Sequence, residues 1–102
     1  MSTIQSPTHV ARQCLLTCEL RQFRVDAEHI GAGDTVHQLR NAVLIIQGAL
    51  GLVETRVAQG QDTGVEALLD MAETRLREGR ALIVRAHQGR HVRREAGRVA
   101  AR

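Results

Sequence analysis

The 102-residue chain contains no Trp, no Tyr and a single Phe. Modules that read nucleic acid by stacking bases on aromatic rings are excluded by that shortage. A β-sandwich or barrel is disfavoured too, because strands draw their packing from aromatic and β-branched side chains. Pro occurs once, at Pro7, so no proline breaks a helix further along. Cys occurs twice, at Cys14 and Cys18, which is too few for a disulfide scaffold. Their four-residue spacing on a helix also makes a bond between them awkward. Lys is absent: all fourteen basic residues are Arg. A Gly-rich phosphate loop ending in Lys is therefore impossible. The longest apolar run, Ala42 to Ile46, falls far short of the roughly 20 residues that span a membrane. Met1 to Thr8 lack the apolar stretch of a signal peptide. These absences predict a soluble, cytoplasmic protein.

What remains is helix-forming: Leu, Ala, Val, Glu, Gln and Arg dominate. The net charge of +3 is unevenly placed. Residues 1–84 carry eight Arg against ten acidic residues, a balance of −2. Residues 85–102 carry six Arg against Glu95 alone, a balance of +5.

Three segments follow, with boundaries at 1–33, 34–88 and 89–102. In the first, Ser6 and Pro7 suit a helix start, and Val10, Cys14, Leu15, Cys18 and Phe23 recur at roughly helical steps over about residues 8–29. The two cysteines fit as small buried apolar residues; metal binding or redox sensing is the other use of such a pair. Gly31 to Gly33 offers a break, after which Asp34 or Thr35 can cap the next helix.

The second segment has the clearest pattern. Val36, Val43, Leu50 and Val57 occupy one heptad position, and Leu39, Ile46 and Val53 the other. Gly60 to Gly64 reads as a loop, and Thr63 with Glu66 has capping-box spacing. Leu69, Ala72, Leu76, Gly79, Ile83 and Ala86 continue a seam, widened by Leu68 and Leu82. Gly79 inside this stretch implies a close helix approach. The pattern predicts an all-α protein with a helical hairpin, helices at about 34–59 and 64–88, and a basic tail that is frayed or disordered. One hairpin cannot bury both apolar faces. Two can, as a homodimeric four-helix bundle with the N-terminal helix as an addition. The other solution folds the N-terminal helix back over the seam within one chain.

Within the hairpin, His37 falls just off the seam, with Asn41 one turn later on the same side. Leu44 lies beside them, and Ile45 and Leu52 form a further off-seam apolar strip. The functional reading is an accessible imidazole nucleophile with an amide one turn below and an apolar docking strip beside it. A surface His on an amphipathic helix gives the same spacing.

The string HQLRNAVLIIQGALGLVE, from His37 to Glu54, resembles the phosphoacceptor helix of the dimerisation and histidine-phosphotransfer domain (HisKA-like) of sensor histidine kinases. The match lies at His37, Leu39, Arg40, Asn41, Ile46 and Gly48. The string EALLDMAETRLREGRALI, from Glu66 to Ile83, is similar to the partner helix of that domain. The resemblance spans residues 34–86, about half the chain. It implies a four-helix bundle, His37 as phosphoacceptor, Asn41 in promoting dephosphorylation of a receiver, and a response-regulator receiver as partner. A kinase acting in trans is a further possible donor.

Two positions depart from the family. Gln38 stands where an acidic residue acts as base, and an amide cannot accept a proton in that way. Ala42 stands where the family has Pro, so the helix should be straighter. Nothing after residue 86 resembles an ATP-binding domain, so an autonomous ATP-dependent kinase is not expected. Arg40 is a candidate phosphate contact, and Leu44, Ile45 and Leu52 are candidates for receiver docking.

No cofactor and no metal site is expected. His87 and His91 have ligand spacing, but only Glu95 accompanies them. The competing reading is a non-catalytic helical dimer that binds a kinase or a receiver, or nucleic acid through the basic tail.

Overall fold

A computed structural model describes the backbone of residues 7–30 and 33–100, and side chains at 9–30 and 33–89. The Ser6 cap lies outside the described residues. Three helices form: α1 (Pro7–Glu28), α2 (Asp34–Ala58) and α3 (Val65–Ala100). Among the described residues there is no strand. The all-α expectation holds, and each helix begins and ends within two residues of its expected bounds except at the far end of α3. There the backbone continues as helix to Ala100, through the stretch expected to fray.

The heptad seams become the core. Leu39, Ile46, Leu50 and Val53 of α2 are buried, as are Leu69, Ala72, Leu76, Gly79 and Ile83 of α3. Val36, Val43 and Val57 are half-buried against them. Each fully buried aliphatic side chain contributes about 1.5–3 kcal/mol relative to exposure.

The seam is closed within the chain rather than by a second hairpin. α1 packs against both α2 and α3. Arg12 pairs with Asp70 at 2.8 Å and with Glu73 at 3.2 Å, and Glu19 pairs with Arg80 at 3.6 Å. These pairs place α1 and α3 in the same direction, with α2 antiparallel to both. The architecture is thus an up-down-up three-helix bundle, in place of two hairpins with an added helix. Its hydrogen bond to Asp70 raises the Arg12 guanidinium above its already high ordinary pKa. A raised pKa stabilises the fold below the unfolded value, so this pair holds its cation throughout the working pH range.

The face that α1 turns inward differs from the expected one. Leu16, Leu20, Phe23 and Ile30 are buried, with Ala27 packed against them. Val10, Cys14, Leu15 and Cys18 are exposed. Both thiols are therefore free at the surface, not core fillers. The physical reason is volume. Leu16, Leu20, Phe23, Ala27 and Ile30 repeat at alternating four- and three-residue steps and supply larger side chains. The rival stripe is small at both cysteines and is interrupted by Arg21.

The turns are made by glycine and backbone. α2 ends in a Schellman motif: Gly60, at φ 71°, donates to Val57 O at 3.1 Å, and Gln61 N donates to Arg56 O at 2.8 Å. Thr63 does not cap α3. Its carbonyl accepts from the Arg56 guanidinium, and Gly64, at φ 81°, precedes the first helical residue. Likewise Gly33, at φ 108°, is the N-cap of α2, and Asp34 serves inside the first turn, where a carboxylate meets the positive end of the helix dipole.

Candidate functional site

α2 is amphipathic about its seam, and its other side faces away from α1 and α3. His37, Asn41, Leu44, Gly48, Leu52 and Thr55 recur there at three- and four-residue steps, and all six are exposed. Leu44 is 66% exposed and Leu52 50% exposed. The structure thus brings His37, Asn41, Leu44 and Leu52 onto one continuous face. Ile45 sits on its edge and is half-buried. Gln38 is exposed beside His37.

His37 makes no hydrogen bond or ion pair with another described residue, so its imidazole meets solvent on the first turns of α2. Asn41 follows one turn later, equally unengaged. Asp34, three residues before His37, puts a carboxylate on the same side of the helix, without forming an ion pair to the ring. The resemblance singles out Gln38 as the neighbour of His37; the carboxylate at i−3 is legible in helical periodicity.

Arg40 lies on the flank of this face that turns toward α1. There it borders an open groove of about 350 Å³ between α1 and α2. Ala27, Val36, Leu39 and Val43 form its apolar floor, Leu44 reaches its rim from the outward face, and Arg24, Glu28 and Gln47 edge it with Arg40. The sequence held no sign of this groove, because Arg24 and Glu28 reach it only through the docking of α1. His37 does not line it. Two guanidiniums over an apolar floor suit an acidic, partly apolar partner surface.

Among the described residues, no group of three His, Cys, Asp or Glu side chains is placed to hold a metal ion. His87 is exposed; the side chain of His91 lies outside the described residues. By length and composition alone, α2 is long and apolar enough to cross a membrane, with an 18-residue window of mean hydropathy 1.2. Bundle helices reach that value as well, but only 22% of this window is buried inside the chain. Comparison with protein-family models, with curated proteins and with solved structures returns no match.

Proposed function

We propose that this chain is a phosphoryl-relay module of two-component signalling, cytoplasmic, with a response-regulator receiver as its partner. The observation that supports this reading best is the exposed line from His37 through Asn41 to Leu44 and Leu52 on the outward side of α2. A receiver docks on Leu44, Leu52 and the edge of Ile45, which brings its aspartyl phosphate over the N-terminal end of the helix. A ring nitrogen of His37 attacks phosphorus in line with the leaving carboxylate. The P–N bond forms as the P–O bond to the aspartate breaks, the carboxylate keeps the electron pair, and the proton on the other ring nitrogen passes to water. Arg40 lies one turn from His37 and offsets charge on the transferring group. In the hydrolytic direction Asn41 orients a water for in-line attack on the receiver's phosphate, and inorganic phosphate leaves.

The alternative is a non-catalytic helical interaction protein. The continuation of α3 to Ala100 favours it, since Arg85, Arg90, Arg93, Arg94 and Arg98 then share one continuous helix, a form suited to an acidic surface or a phosphate backbone.

The two readings are separated by mixing the chain with receiver domains phosphorylated by a small phosphodonor. Acid-labile phosphate should appear on the chain and vanish in His37→Ala. Receiver dephosphorylation should slow by about a hundredfold in Asn41→Ala. A receiver phosphate whose lifetime is unchanged by the chain, with no label on it, refutes the relay. DNA retention that falls steeply with salt and depends on residues 89–102 supports the alternative.

A further inference from the structure

The outward face of α2 is built to meet its own copy. α2 is the most apolar helix of the chain, yet Leu44 and Leu52 stand 66% and 50% exposed on it. Between them Gly48 and Gly51 have open space where a Cβ would project, so another backbone can approach closely there. The residues are arranged symmetrically about Gly48. A two-fold axis through it, with two α2 helices antiparallel, sets Leu44 against Gly51, Ile45 against Leu52 and Asn41 near Thr55. Large side chains thereby meet large ones or glycine, and polar ones meet polar.

Charge follows the same symmetry. Arg40, Gln47 and Glu54 run at seven-residue steps down one flank of the face. Neither Arg40 nor Glu54 has an ion pair among the described residues. The two-fold leaves both residues on the same side of the interface. Arg40 of one copy and Glu54 of the other come within about 3 Å of the same height along the axis, so two ion pairs would bracket the apolar centre.

We infer that α2 is an antiparallel self-association surface centred on Gly48, distinct from the buried heptad seam. The dimer does not depend on the relay reading. Its consequence for the relay does: a second copy covers Leu44 and Leu52, while His37 stays at the rim, about 16 Å from the axis. Self-association and receiver docking then exclude one another, and the dimer is the resting form. A face about 27 Å long places the interface at the small end of specific contacts, so the dimer is reversible and concentration-dependent.

The test is sedimentation equilibrium of the full chain from low micromolar to several hundred micromolar, with circular dichroism to confirm that each variant folds. The wild type should move reversibly from monomer to dimer, and Leu44→Glu should remain monomeric. Arg40→Glu and Glu54→Arg should each weaken the dimer about tenfold, and the double exchange should restore it, because the pair is rebuilt with its signs reversed. A wild-type chain that is monomeric throughout, or that binds phospholipid vesicles as a monomer, overturns the inference. A dimer indifferent to Leu44→Glu and to the charge exchange overturns it equally. No phosphoryl group enters this experiment, so its failure and that of the relay are read separately.

Discussion

Phe23 is the chain's single aromatic residue, and its ring lies on Gly79 of α3. A Cβ built at Gly79 would come within 2.8 Å of the ring carbon Cε1, well inside contact distance. In an ordinary helix interior Gly is about 1 kcal/mol worse than Ala. Here the order is reversed by sterics: Gly79→Ala should destabilise the fold by about 1–3 kcal/mol, since the ring is fully buried and has nowhere to retreat. Gly48, on the outward face of α2, meets no neighbour at that position. Gly48→Ala should therefore raise stability by up to about 1 kcal/mol in dilute, monomeric protein. Urea unfolding of the two variants checks both signs in one experiment. A Gly79→Ala variant as stable as the wild type would show that the ring does not hold α1 in place. The site residues follow a different rule at this scale. His37, Asn41 and Arg40 are exposed, so their replacement should alter chemistry and leave the unfolding midpoint almost unmoved.

At the scale of the element, α1 shows how a helix with two apolar stripes selects one. Leu15 and Leu16 are neighbours in sequence and opposites in structure, 58% and 2% exposed. Leu16→Ala should cost about 2–5 kcal/mol through lost burial and the cavity left behind. Leu15→Ala should stay within about 0.5 kcal/mol. Thermal or urea denaturation distinguishes them, and equal losses would mean that α1 docks by another face. The ion pairs Arg12–Asp70 and Glu19–Arg80 set the direction of α1 along α3. They are partly exposed, so their share of the stability is small beside that of Leu16, Leu20 and Phe23. In α2 the division of labour is sharper. One side is the core, and the opposite side carries His37, Asn41, Leu44 and Leu52, with Arg40 on its α1-facing flank and the half-buried Ile45 at its edge.

At the scale of the whole molecule, α1 acts as the cover that the hairpin needs. Removing residues 1–32 would bare the side of α3 around Leu76 and Gly79 and the α1-facing side of α2 around Leu39 and Val43. A hairpin so exposed should recruit a second one and form the four-helix arrangement that its heptads permit. The fragment from Gly33 onward is therefore expected to be dimeric by light scattering at concentrations where the full chain is monomeric. An added peptide of residues 7–30 should return it toward a one-to-one complex. A fragment that is folded and monomeric without the peptide would show that α1 is not required to close the core.

Apart from the continuation of α3 to Ala100, which was not legible in it, the amino-acid sequence by itself determined the all-α class, three helices at about 8–29, 34–59 and 64–88, and that Leu39, Ile46, Val53, Leu69 and Leu76 are core. These follow from local propensity, from two glycine-rich breaks and from a seven-residue apolar repeat, each of which acts over a few turns. It also placed His37, Asn41, Leu44 and Leu52 off the seam, because helical periodicity alone separates inward from outward positions. Only the tertiary structure decided what fills the seam. A heptad repeat states that an apolar surface must be covered, and says nothing of whether the covering side chains come from the same chain or another. The phase of α1 was likewise settled by packing, since Leu16, Leu20, Phe23, Ala27 and Ile30 fill the space that Val10, Cys14 and Cys18 are too small to fill. The groove beside Arg40 exists because that choice brought Arg24 and Glu28 up to α2, residues 16 and 12 positions away from it in the chain.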